Sequence, residues 1–231
     1  MKVGERPLVV VAVVLTLGFM RLGGWQLARL NQRQRINAEL ASRAADVPVP
    51  ISQLPTDTGN AHYRRVSVKG AYDYGNEIVL TLRSREGSPG VNIVTPLKTP
   101  TSDTALLVVR GWVYSPDGTT LDLSKWSEGP QVSGSGFVET YPPPRNGPNL
   151  SSTHQNAYRW LDRTVLEKRF KYPLEPYYVV LTSPVGDTTK STPPRLTVPP
   201  MDEGPHRSYA IQWFSFAAIS IIGTILFLRR K

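Results

Sequence analysis

Histidine is the residue best suited to chemistry in this chain, which has 231 residues, three histidines and no cysteine. Without cysteine the chain has no disulfides and no thiolate ligands for a metal. The sequence also lacks an H-E-x-x-H pair, a G-x-S-x-G turn and a glycine-rich phosphate loop, so it lacks the motifs of common hydrolases and phosphate-binding enzymes. We therefore expect that the protein is not an enzyme. Of the three histidines, His206 has the most suggestive neighbours.

His206 opens a series of residues with helical spacing. Tyr209 or Ala210 follows at i+3 or i+4, and Trp213 follows at i+7. Residues at this spacing lie on one face of a helix. The series therefore predicts a helix that carries an imidazole and aromatic rings along one side.

A second helical face near the other end of the chain carries Trp25 and Arg29, which are four residues apart. If the two helices run antiparallel, these residues lie at about the depth of His206. A neutral imidazole can bind haem iron through Nε2, aromatic rings can enclose a porphyrin, and arginine can pair with its propionates. The alternative is an ordinary interfacial belt, because the same residue types are typical of membrane surfaces.

Two apolar segments position these residues. Tyr209–Leu228 is 20 residues without a formal charge, enough at about 1.5 Å per residue to cross a hydrocarbon core of about 30 Å. The first segment begins at Leu8 and continues past Arg21. It could be a signal peptide, but no small-x-small cleavage site follows, so we favour an uncleaved anchor. We expect membrane helices within residues 1–27 and 205–231.

The distribution of charge indicates on which side of the membrane the termini and the central segment lie. The basic end Arg229–Lys231 favours a cytoplasmic location for both termini of a bacterial plasma-membrane protein, with residues 28–204 on the outer face. The net charge is +9, but residues 29–205 hold 20 Lys and Arg against 17 Asp and Glu. No concentrated basic stripe is present. We therefore expect the lipid bilayer as a partner and exclude nucleic acid.

The segment between the membrane helices is predicted to form one β-rich domain, a small barrel or a sandwich with a short helix. Gln26–Arg43 has helix-forming residues and predicts a charged helical stalk, and Asp46–Asn60 predicts a loop. Asp162 can cap a short helix, Arg163–Phe170. The predicted strands are Tyr63–Tyr72, Glu77–Leu82, Val91–Leu97, Ala105–Val113, Gln131–Thr140 and Tyr177–Thr182.

Five segments in order resemble the Surfeit locus protein 1 family, in a bacterial form. They are Leu22-Gly23-Gly24-Trp25-Gln26-Leu27-Ala28-Arg29-Leu30, then Tyr63-Arg64-Arg65-Val66, Thr95-Pro96-Leu97, Val109-Arg110-Gly111-Trp112-Val113, and His206-x-x-Tyr209-Ala210-x-x-Trp213-Phe214. Each segment is weak alone, but their order between two membrane helices is specific. The fourth segment also has a purely structural interpretation, as a strand end with a close-packed glycine and a core tryptophan.

The resemblance implies an assembly factor for cytochrome c oxidase that binds haem a and delivers it to the catalytic subunit. It implies His206 as the haem ligand. We expect Tyr209, Trp213, Trp25 and Arg29, from the two helical faces described above, to be the other haem-binding residues. Further implied partners are the catalytic subunit of the oxidase and haem a synthase. The alternative is a structural accessory subunit that clamps oxidase or supercomplex subunits without binding haem.

Overall fold

The structure is a computed structural model that describes residues 6–99, 102–151, 154–183, 193–198 and 201–229. Lys2, Arg230 and Lys231, which contribute to the predicted orientation, lie outside the described residues. Two compact units divide the chain. One contains the described residues up to Glu39 and those from Met201 onward, and the other extends from Leu40 to Val198. We call the first the helical unit and the second the barrel unit.

Among the described residues there are four α-helices: α1 Arg6–Ala45, α2 Thr58–Ala61, α3 Arg163–Phe170 and α4 His206–Arg229. Both α1 and α4 are long and apolar enough to cross a membrane. α1 continues through the polar segment predicted to form a stalk and ends three residues before Pro48, which disfavours helix at the residue preceding it. α4 begins at His206, directly after Pro205, whose carbonyl accepts the amide of Tyr209 at 3.1 Å.

The described strands form one sheet whose order is β1-β2-β6-β8-β5-β4-β3-β7. An additional pairing of β2 with β4 joins Ala71 to Lys98 and Tyr72 to Leu97, which closes β2, β6, β8, β5 and β4 into a five-stranded barrel. The strands are β1 Val49–Pro50, β2 Arg65–Tyr72, β3 Ile78–Leu80, β4 Gly90–Lys98, β5 Ala105–Tyr114, β6 Val132–Thr140, β7 Ala157–Tyr158 and β8 Leu174–Leu181. The predicted fold class is confirmed, and of its two forms the barrel is the one observed.

The two faces of the barrel strands pack into two apolar clusters, as expected from the alternation of side chains along a strand. On β5, Leu106 and Val108 belong to one cluster, and Leu107 and Val109 belong to the other. The cluster with Leu106 takes buried residues from all five strands of the ring, so it fills the barrel. The other cluster includes Leu166 of α3, which covers the outside of the barrel.

Short elements are the main departure from the predicted secondary structure. β1, α2 and a 3₁₀ turn at Ile51–Gln53 lie in or overlap the segment predicted as a loop. Asp57 caps α2 by accepting the amides of Gly59 and Asn60. β7 has only two residues. Such elements are too short to show a hydrophobic period, so the sequence pattern cannot reveal them. In contrast, α3 has the predicted bounds and the predicted cap at Asp162.

Candidate functional site

The helical unit is an antiparallel pair in which α1 and α4 meet along a seam of heptad-like spacing. On α1 the buried and partly buried residues include Val9, Ala12, Thr16, Phe19, Gly23, Gln26 and Leu30. On α4 they are His206, Ala210, Trp213, Ala217, Ser220 and Thr224. Steps of three and four residues keep one stripe of each helix against its partner.

Small residues allow close approach in the membrane-spanning part of this seam. A side chain on Gly23 would place its Cβ within 2.8–3.0 Å of the Phe214 ring, so any larger residue there requires that ring to move. Deeper in the pair, the Thr16 hydroxyl donates to the Ser220 hydroxyl at 2.8 Å. Small residues and hydroxyl pairs are typical of helix association in lipid. The Phe19 ring stacks on Trp213 with centroids 5.9 Å apart.

His206 lies at the start of α4 and contacts α1 through its imidazole. Nδ1 of His206 is 2.7 Å from Oε1 of Gln26, a residue that is only 8% exposed. An amide oxygen accepts hydrogen bonds and cannot donate them, so Nδ1 is the donor. No described residue forms a hydrogen bond with Nε2. The imidazole is therefore held through Nδ1, and its Nε2 is open among the described residues.

The turn before His206 is also fastened within the helical unit. Gly204 has a φ of +70°, a conformation that favours glycine, and its amide donates to Oδ1 of Asp202 at 2.9 Å. The Asn37 side chain on α1 donates to the carbonyl of Asp202 at 3.2 Å. A Cβ on Gly204 would lie 3.6 Å from Nε2 of His206, so this residue flanks the open nitrogen.

The predicted site residues fall on more than one face of the helix pair. His206 and Trp213 lie on the seam, where Ala210 rather than Tyr209 occupies the intervening position. Tyr209 is 46% exposed. Trp25 is 50% exposed and lies under the guanidinium of Arg29, whose carbon is 5.7 Å from the ring centroid. Gln26 was not predicted as a site residue, although a glutamine within an apolar helix beside Trp25 was a usable signal.

The barrel unit buries a polar cluster around Arg110, which is fully buried on β5. Its Nε donates to Glu128 at 2.8 Å, Nη1 donates to Glu77 and Thr95, and Nη2 donates to the carbonyl of Trp126. The Tyr72 ring lies 5.0 Å from the guanidinium carbon. Every nitrogen of this guanidinium therefore has an acceptor within the barrel unit.

A second arginine ties the segment 193–198 to this cluster. Arg195 donates to the carbonyl of Arg110 at 2.8 Å and binds both carboxylate oxygens of Glu128. Burial opposes the charged form of Glu128, but hydrogen bonds from Arg195 and Arg110 outweigh it and hold its pKa below the ordinary value. Gly111 allows the close approach, because a Cβ there would lie 2.3 Å from the Pro194 carbonyl oxygen.

This geometry supports the structural interpretation of the Arg110-Gly111-Trp112 segment. Arg110 and Gly111 hold the segment 193–198 against β5. Trp112 is only partly buried, contrary to its expected place in the core, because its Nε1 reaches out to donate to the Arg83 carbonyl at 2.8 Å.

The barrel unit also has an open groove of about 1310 Å³, lined mainly by hydroxyl and apolar side chains. It contains Glu175, whose pKa is raised by burial against the opposing effect of Arg163. Its described lining includes no histidine that could activate a hydroxyl.

The described residues also contain no group of three or more acidic or histidine side chains that could hold a metal ion. Among the described histidines, only His206 combines a fixed ring with an open nitrogen at the membrane helices.

Comparison with known proteins confirms the family resemblance. The family model described as SURF1 family matches residues 13–218. A SURF1-like protein of Monosiga brevicollis is 27% identical and covers 94% of this chain and 85% of its own length. A SURF1-like protein of Rickettsia felis is 25% identical over 100% of this chain and 98% of its own length. Human Surfeit locus protein 1 is 26% identical over 90% of this chain and 73% of its own length.

Proposed function

This chain belongs to the SURF1 family, and from that premise we propose that it is a membrane assembly factor for cytochrome c oxidase which binds haem a and delivers it to the catalytic subunit. Family membership supports the role in oxidase assembly. The arrangement at His206 supports the haem-binding step. The two apolar helices support a membrane location, and we place both termini in the cytoplasm of a bacterial cell.

The observation that carries the haem proposal is the asymmetric use of the His206 imidazole. Haem iron takes a lone pair from a neutral imidazole nitrogen. Here Nδ1 is engaged with Gln26 at 2.7 Å, and no described residue occupies Nε2. A ring held by one nitrogen with the other nitrogen open has the chemistry that an axial haem ligand needs.

The remaining predicted residues supply the contacts that a porphyrin needs besides its iron. We assign Trp25, Tyr209 and Trp213 to contacts with the flat ring, because aromatic side chains pack against such surfaces with little loss of conformational freedom. We assign Arg29 to a propionate, because a guanidinium pairs with carboxylates through a planar fork. Trp25, Arg29 and Tyr209 are exposed on the helical unit and are therefore accessible to a ligand from the lipid side.

A single protein ligand also suits a carrier. With one histidine on the iron, the second axial position is left for water or for a group from a partner, and the complex can be released. Haem a is strongly apolar because of its isoprenoid tail, so transfer at the bilayer avoids exposure to water. Haem a synthase is the proposed source, and the oxidase catalytic subunit is the proposed acceptor.

The test is the absorption spectrum of the full chain purified in detergent from cells that make haem a. We expect a Soret band in the wild-type protein and its loss in His206→Ala. The matched control is His154→Ala, a histidine of the barrel unit, which should keep the band. Retention of the band in His206→Ala overturns the assignment. Co-purification with the oxidase without pigment would instead favour the structural accessory subunit.

A further inference from the structure

The hydrogen bond between Gln26 and His206 carries an inference beyond haem ligation. We infer that Gln26 is a positioning residue that fixes the tautomer of His206, with the proton on Nδ1 and the lone pair on Nε2. The tautomer itself concerns the protein without haem. Only its use in haem binding rests on the proposed function. Gln26 therefore has a defined chemical task within the Leu22–Leu30 segment.

The environment of Gln26 favours a specific pairing over a chance contact. Gln26 lies on the α1 seam, three residues after Gly23 and four before Leu30, and all three residues are buried. A buried amide without a partner is unfavourable, because no water replaces the lost hydrogen bonds. The 2.7 Å contact with His206 satisfies the amide oxygen across the helix pair, although the two residues are 180 positions apart in the chain.

The tautomer follows from what the two atoms can donate. With the proton on Nε2, the Nδ1 lone pair would face the lone pairs of the Gln26 oxygen at 2.7 Å, which is repulsive. With the proton on Nδ1, the same distance is a good hydrogen bond. The contact therefore selects one neutral form of the ring, and that form presents the Nε2 lone pair. The partner of one ring nitrogen commonly determines which nitrogen binds a metal.

The direct test is nuclear magnetic resonance of the full chain in nanodiscs without haem, with ¹⁵N-labelled histidine. The His206 signals are assigned by their absence in His206→Ala. We expect Nδ1 to be protonated and Nε2 to be unprotonated in the wild-type protein. A proton on Nε2 in the wild-type protein overturns the inference, because it means that the Gln26 amide donates rather than accepts.

Substitutions at Gln26 separate the tautomer from the general packing of the helices. Gln26→Leu keeps a similar volume but removes the acceptor, so the proton should move to Nε2 in a large fraction of molecules. Gln26→Glu offers a carboxylate acceptor and should keep the proton on Nδ1. The matched control is Gln34→Leu, because Gln34 also bonds across the pair, to Glu203 at 3.1 Å, without touching the imidazole. An unchanged tautomer in Gln26→Leu overturns the inference.

Haem binding gives a second readout that distinguishes this inference from the proposed function. Loss of an orienting partner typically lowers metal affinity about 10- to 100-fold, so Gln26→Leu should weaken haem binding by that factor and Gln26→Glu should restore it. If His206→Ala keeps its pigment while the tautomer responds to Gln26 as expected, only the haem proposal fails. If His206→Ala loses pigment and Gln26→Leu binds haem like wild type, only the role of Gln26 fails.

Discussion

His206 in the helical unit is partly buried, and Arg110 in the barrel unit is fully buried. The two polar side chains differ in how many of their nitrogens form hydrogen bonds. Arg110 is fully buried, and its nitrogens donate to Glu77, Thr95, Glu128 and the Trp126 carbonyl. His206 donates through Nδ1 to Gln26, while no described residue bonds Nε2. A fully satisfied group stabilises a fold, whereas a group with one fixed and one open atom is suited to a ligand.

The same difference distinguishes the roles of two motifs that the sequence alone does not distinguish. Both Arg110-Gly111-Trp112 and the series from His206 to Trp213 belong to the segments that resemble the family. In the barrel unit the motif holds the segment 193–198 to β5 through Arg195 and Gly111. In the helical unit the motif places the open Nε2 of His206 beside an exposed turn. Substitutions should therefore affect folding in the first case and ligand binding in the second.

The largest expected effect on stability is that of Arg110→Met. Removing the guanidinium leaves the buried Glu77 carboxylate without its cation, whereas Glu128 keeps Arg195, and breaking a buried pair costs about 3–5 kcal/mol. Denaturant unfolding of the purified full chain, followed by tryptophan fluorescence, measures the loss. Lys125→Met is the control, because it removes an exposed ion pair with Asp122 that contributes at most about 1 kcal/mol. Equal stabilities of the two variants would contradict the structural role of Arg110.

The next effect concerns the seam of the helical unit. Gly23→Leu should separate the helices, because the new side chain overlaps the Phe214 ring and overpacking costs about 1–3 kcal/mol. The chain has no cysteine, so Thr16→Cys with Ser220→Cys provides a clean cross-link across the pair. We expect cross-linking in membranes to slow at least about fivefold.

Gly24→Leu is the matched control for the seam. A Cβ on Gly24 would meet no atom within 4 Å, so this variant should cross-link like the parent. If Gly24→Leu slows the reaction as much as Gly23→Leu does, helix propensity rather than the seam is responsible.

A smaller effect is expected in the acid response of the barrel unit. Because the pKa of Glu128 is lowered in the folded state, its stabilising contribution is present above the ordinary value of 4.5 and is lost as the pH falls through the folded value. Unfolding free energies measured across this range should fall less steeply in Glu128→Gln. Glu175→Gln should act in the opposite sense, because the pKa of Glu175 is raised and its contribution is lost as the pH rises. Identical slopes in all three proteins would contradict the assigned charges.

The smallest effect on the barrel unit is expected from His206→Ala. Unfolding of the barrel unit, reported by its tryptophans, should change by less than about 0.5 kcal/mol, although we expect the Soret band to be lost. In the double variant with Arg110→Met, the loss of unfolding free energy should equal the sum of the two single losses within about 0.5 kcal/mol, as for independent sites. A larger non-additive term would show that the two regions are energetically coupled.

Local patterns predicted those elements that have a clear period or a clear cap. The apolar runs predicted α1 and α4, and the Asp162 cap predicted α3 with its observed bounds. The six predicted strands were located with end errors of up to three residues, the largest at the start of β8. At Leu82, for example, a positive φ of 57° takes the residue out of the predicted strand. Periodicity reports which face of an element is apolar, and it does not report where a hydrogen-bonded ladder ends.

The sequence by itself determined the two membrane helices, a β-rich domain between them and a histidine at the start of α4, because apolar length, alternation and residue type are local properties. Tertiary structure alone decided that β2 pairs with β4 to close a barrel, that Ala210 rather than Tyr209 lies on the seam, and that Arg110 is enclosed. It also brought Gln26 to His206 across 180 positions. These outcomes depend on which surfaces pack together, and a spacing of three or four residues along one helix leaves that choice open.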